Sequence, residues 1–129
     1  MNLTEITKLA KHAIDKRKAR KTEKVYVTFL DTEFTFTSLT RQEQAEIYGA
    51  VKNGDEFEIA KKLIYTACSD LRKLAKELIE QKAIDAYEDV VDMFGDEDKA
   101  KLVTLILGMS KNPQSDLTIG GKEAEEIKN

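Results

Sequence analysis

The sequence predicts a mostly helical α+β fold: an N-terminal helix and a β-hairpin, followed by about four to five packed helices. Two observations carry this. Apolar residues recur at helical spacing over most of the chain, and the period falls to two only from Val25 to Phe36. The composition agrees, with 35% charged and 7% aromatic residues, no Trp and a single Pro. A chain of 129 residues is long enough to bury a core but short for two domains. Residues 1–23 read as an amphipathic helix with a basic connector, 24–111 as the core domain, and 112–129 as a flexible polar tail.

Leu3, Ile6, Leu9, Ala10, Ala13 and Ile14 form one stripe on an otherwise polar segment, which predicts a helix over about 3–16. It is expected to pack on the protein's own core, or to swing out on KRKARKTEK and dock on another subunit. His12 lies opposite the stripe, facing solvent. From Val25 onward, Val25, Val27 and Phe29 share one strand face, with Phe34 and Phe36 following Asp31 and Thr32 in a hairpin. Two strands are marginal alone, so the hairpin must lean on helices or pair with another edge.

Thr40 and Glu43 in TRQE are spaced as a capping box, opening a helix over about 41–52 that stops at Asn53 and Gly54. The strongest pattern then runs over 55–71, where Phe57, Ala60, Leu63, Ile64, Ala67, Cys68 and Leu71 share a face. This is the expected central helix, with Phe57, Leu63, Ile64 and Cys68 in the core. Ser69 and Asp70 interrupt it before Leu71, Leu74, Ala75, Leu78 and Ile79 resume, giving one kinked helix or two. Ile84, Tyr87, Val90, Val91 and Phe94 predict a helix over about 83–94 that ends at Gly95. Asp96 should cap a last helix over 97–110, apolar on two sides through Leu102, Leu105, Ile106 and Met109 and through Val103 and Leu107.

Charge is uneven. Lys8, Lys11, Lys16, Arg17, Lys18, Arg20, Lys21 and Lys24 are offset only by Asp15 and Glu23, although the whole chain carries −3. A solvated helix face with a charged connector accounts for this. An anionic partner held by Lys16, Arg17, Lys18, Arg20 and Lys21, as in a small nucleic-acid-binding regulator, is the alternative. No apolar run reaches the length of a membrane span, and the first residues are too charged for a signal peptide, so a cytoplasmic protein is expected.

Enzyme chemistry lacks suppliers. The single Cys and single His stand far apart, and one Cys serves neither an internal disulfide nor a zinc cluster. Asp92, Asp96, Glu97 and Asp98 miss calcium-loop spacing and read as a capped helix start. Gly120 and Gly121 follow no strand, which makes a weak phosphate loop. Neither a cofactor nor a metal is expected.

The order of parts carries more information than any single residue. The hairpin, the LTRQE helix start, KKLIYTAC and then VVDMFGDEDKAKLVTLILGMS resemble the XkdN-like tail assembly chaperones of long-tailed phages and prophages, over about 25–110. The resemblance implies a non-enzymatic chaperone in the host bacterial cytoplasm, absent from the finished virion. It would bind the tape measure protein, help recruit tail tube protein and work as a homo-oligomer. The apolar residues left over from the packing stripes, Val103, Leu107 and Met93, then Ile59 and Tyr65, are the candidate contacts. Core burial is the competing reading for each.

Overall fold

The computed structural model describes residues 1–110, 117 and 119–122. The elements, in chain order, are α1 (Leu3–Lys18), β1 (Thr22–Val27), β2 (Thr32–Thr37), α2 (Arg41–Ala50), α3 (Glu56–Ala67), α4 (Ser69–Glu80) and α5 (Asp96–Ser110). Short 3-10 segments cover Thr28–Leu30, Lys52–Gly54 and Tyr87–Met93. No helix of the described residues is long and apolar enough to cross a membrane. The flexible tail expected over 112–129 falls largely outside the described residues.

α3 occupies the centre. It packs against α2, α4, α5 and the 87–93 segment, while β2 lies on α4 and α5. Leu63, Ile64 and Ala67 are buried on it, and Cys68, Leu71 and Ala75 continue the core into α4. Phe34 and Phe36 enter from the hairpin, Val90, Val91 and Phe94 from the 3-10 segment, and Leu102 and Ile106 from α5. Each large apolar side chain fully buried in this way contributes roughly 1.5–3 kcal/mol.

The strands pair antiparallel with Val25 opposite Phe34 and Val27 opposite Thr32. In a two-stranded sheet every second N–H of β2 points away from β1, and α4 takes one of them: the Asp70 carboxylate accepts from the Thr35 N–H at 2.9 Å. This bond seats the hairpin on the helices. Phe29 departs from its expected strand position. It belongs to the 3-10 turn, is 60% exposed, and stands edge-on to Phe94 with ring centroids 6.2 Å apart. Asp31 completes that turn in the left-handed region at φ 48 and accepts a hydrogen bond from the Tyr26 hydroxyl.

The expected capping box is present, with the Glu43 N–H donating to Thr40 Oγ1 at 3.1 Å and the Thr40 N–H to Glu43 Oε1 at 2.9 Å. α2 ends at Ala50, and Asn53 and Gly54 turn the chain with positive φ. Asp55 then caps α3, accepting from the Phe57 and Glu58 N–H groups. Of the two arrangements open for 55–79, two helices form. Cys68 adopts extended backbone between them, at φ −133 and ψ 107. Arg72 reaches back across this break and donates to the Thr66 carbonyl at 2.6 Å and to the Tyr65 carbonyl at 3.3 Å. Carbonyls in the last turn of α3 lack the usual i+4 amide partner, and among the described residues the Tyr65 carbonyl otherwise receives only the Cys68 N–H at 3.5 Å.

Three expectations need correction. Phe57 is 73% exposed and not in the core. Helical periodicity fixes an angle around the axis, and Ile64, two turns further on at nearly the same angle, is fully buried. Phe57 sits in the first turn of α3, so its angle does not bring it into the core. Residues 83–94 do not form an α-helix; the three-residue spacings from Tyr87 to Val90 and from Val91 to Phe94 also suit the 3-10 segment that forms over Tyr87–Met93. Asp96 opens α5 rather than preceding it: the Lys99 N–H bonds to the Gly95 carbonyl at 2.9 Å, placing Gly95 in the cap position. Ahead of that region, α4 stops through paired bonds from the Lys82 N–H to the Ile79 carbonyl and from the Ala83 N–H to the Leu78 carbonyl, with Lys82 at φ 60.

Candidate functional site

Titratable side chains gather around the 87–93 segment, where they tie elements together. Lys61 of α3 bonds to Asp89 at 2.7 Å and Asp92 at 2.9 Å, Asp92 also takes Lys99 of α5 at 2.9 Å, and Lys62 pairs with Glu88 at 3.1 Å. The Asp89 hydrogen bond, reinforced by Asp92, raises the Lys61 pKa against the opposing effect of burial. Lys61 and Lys99 in turn hold Asp92 below the usual carboxylate range. These pairs fasten a short 3-10 segment to two helices. Among the described residues no group of three or more His, Cys, Asp or Glu is placed to hold a metal ion. Cys68 is fully buried, and burial pushes its thiol pKa up, away from nucleophilic character.

The candidate contact residues do not form one surface. Ile59, Tyr65, Met93 and Val103 are half-buried and pack against the core. Ile59 and Tyr65, six residues apart on α3, point about 120° from each other. Val103 and Leu107 do share a side of α5, four residues apart, and Leu107 is half-buried. α5 fully buries only Leu102 and Ile106. Next to Val103 and Leu107, the solvent side carries Ala100, Thr104 and Gly108, all exposed and four residues apart. A Cβ built on Gly108 meets nothing within 4 Å. These small residues are flanked by Val103 and Leu107 on one side and by the exposed Glu97 and Lys101 pair on the other.

α1 shows a second uncovered apolar face. None of its residues is buried, and Leu3, Ile6, Leu9 and Ile14 are exposed, Leu3 at 77%. Of the two expectations for this helix, packing on the protein's own core does not occur. Exposed aromatic residues also stand at the hairpin tip, in Tyr26 and Phe29, and at Phe57 and Tyr87. Sequence periodicity assigned Phe29 and Phe57 to covered faces, and only their place in three dimensions exposes them.

The basic residues, in contrast, converge. Lys16, Arg17, Lys18, Arg20 and Lys21 all line one groove of about 740 Å³, together with His12, the 38–41 segment, Met109 and Ser110. The side of the groove formed by the connector, the 38–41 segment and the end of α5 is held by hydrogen bonds. The Ser38 N–H donates to the Lys21 carbonyl at 2.8 Å, the Lys21 N–H donates to Ser38 Oγ at 3.0 Å, and the Ser110 hydroxyl bonds to the Leu39 backbone. Arg20 is anchored on Glu43 at 3.0 Å. Burial opposes ionisation of Glu43, but the Thr40 amide and Arg20 hold its pKa below the usual range. No family model, curated protein or solved structure matches this chain.

Proposed function

We propose that the chain is a non-enzymatic assembly chaperone of the XkdN-like kind, holding a helical stretch of tape measure protein against α5 in the host cytoplasm. The supporting observation is the row of small residues on α5, Ala100, Thr104 and Gly108, running beside Val103 and Leu107. Small residues spaced by four let another helix approach closely, and apolar side chains at the border give it area to bury. A long helical protein awaiting assembly exposes apolar stripes that aggregate unless covered, and a surface of this kind covers them reversibly. Recruitment of tail tube protein and self-association belong to the same proposal.

The test is a variant that blocks the surface and spares the fold. Thr104→Arg with Gly108→Arg adds bulk where α5 has open space, and replacing a glycine in the last turn favours the helix by a fraction of the roughly 1 kcal/mol seen in helix interiors. The double variant is expected to melt no lower than the parent and to lose co-purification with the tape measure protein. Undiminished co-purification would refute α5 as the contact. The second reading, a small nucleic-acid-binding regulator, draws on the five basic residues in one groove.

A further inference from the structure

We propose that the groove between the last turn of α1 and the 38–41 segment binds an acidic stretch of polypeptide carrying an apolar side chain at its centre. The inference does not rest on the reading of α5, of which only the last residues, Met109 and Ser110, reach the groove. Around the groove, Lys16, Lys18, Lys21 and Arg41 present cationic heads, and among the described residues no Asp or Glu lines it. Arg20 is engaged by Glu43, a residue outside the lining. Like charges held this closely repel one another, and carboxylates placed among them relieve that repulsion. A concave wall concentrates the field more than the same charges spread on an open helix.

The remainder of the lining selects the kind of anion. Leu39 is buried and Met109 half-buried, so the groove has an apolar contribution as well as a charged one. Among the described residues no Phe, Tyr or Trp lines it. Single-stranded nucleic acid is held by cationic grooves that also offer aromatic faces for its bases, and those faces are missing here. An acidic peptide needs none. Its carboxylates take the lysines as point charges and the planar fork of Arg41, and an aliphatic side chain lies against Leu39 and Met109. The volume falls within the range that encloses a few residues.

The wall opposite α1 is set before any ligand arrives. The Lys21 and Ser38 backbone bonds and the Ser110 contact with Leu39 hold the connector and the end of α5 in place, which lowers the ordering cost of binding. Basic residues at the end of α1 also face the negative end of the helix dipole, which favours their positions without a ligand.

Fluorescence anisotropy on the full chain tests this with a labelled peptide of alternating Glu and Leu, its Gln-for-Glu counterpart, and an oligothymidylate of equal charge. The acidic peptide is expected to bind, the Gln counterpart at least about tenfold more weakly, and the oligonucleotide more weakly than the acidic peptide. Lys18→Gln, Lys21→Gln and Arg41→Gln together, all at exposed side chains, are expected to weaken the acidic peptide about tenfold with an unchanged melting temperature. Equal binding of the two peptides, tighter binding of the oligonucleotide, indifference to the triple variant, or no binding of the acidic peptide would each overturn the proposal.

Discussion

Replacing Arg72 with methionine keeps the aliphatic stem and removes the guanidinium that spans the break between α3 and α4. Two hydrogen bonds go with it, to the Thr66 carbonyl at 2.6 Å and to the Tyr65 carbonyl at 3.3 Å. The shorter is a charge-assisted bond in a half-buried setting, worth about 1.5–3 kcal/mol, and the longer adds little. A cation at a helix C-terminus adds roughly 0.3–1 kcal/mol, reduced here by partial solvation. The expected loss is about 2 kcal/mol, or roughly 6–10 °C in melting temperature for a chain of this size. Arg72→Lys keeps the charge but only a single nitrogen that reaches the carbonyls less well, and should lose about 1 kcal/mol. Urea unfolding followed by circular dichroism checks both, with a slope unchanged from the parent. A loss below about 0.5 kcal/mol in Arg72→Met, the level of an ordinary surface change, would refute the view that this side chain holds the two helices in register.

Lys82 carries the left-handed turn that ends α4, a conformation that costs a non-glycine residue roughly 1 kcal/mol. Lys82→Gly is therefore expected to raise stability by about 0.5–1 kcal/mol in urea unfolding, and a loss would show that the Lys82 side chain contributes more than its backbone costs. The ion pairs around Asp92 should appear in the pH dependence. Its pKa is lowered in the folded chain, so its contribution is present above the ordinary carboxylate range and is lost as pH falls through the folded value. Melting temperature followed from pH 6 downward should fall less steeply for Asp92→Asn than for the parent below about pH 4. Identical slopes would show that the pairs with Lys61 and Lys99 add nothing.

Local chemistry was legible wherever it depends only on neighbours in sequence. The Thr40 and Glu43 box, the strands around Val25 and Phe34, the positive-φ turn at Asn53 and Gly54, and the central helix all follow from residue type and spacing. Phe57 was misread because periodicity specifies direction around a helix and is silent on how far the neighbouring elements extend along it. The helix expected at 83–94 failed for another reason: Tyr87 and Val90, like Val91 and Phe94, are three residues apart, an interval that two kinds of helix share. Lys82 hid the end of α4, since a lysine in the place usually taken by glycine gives no signal. The basic run was visible as charge, but its concave form was not. That form comes from Leu39 and Met109, brought beside the connector by folding.

α1 is helical over 16 residues and buries none of them. Helices of that length are marginal in water when nothing packs on them. Its hydrogen-bonded turns therefore open and close without disturbing the core, while the amides around Ile64 and Leu71 open only when the whole core does. The chain thus holds two cooperative units of unequal stability on one backbone. Heating or denaturant should melt α1 first, ahead of the main transition. A partner that covers the stripe of Leu3, Ile6, Leu9 and Ile14 would merge the two transitions into one.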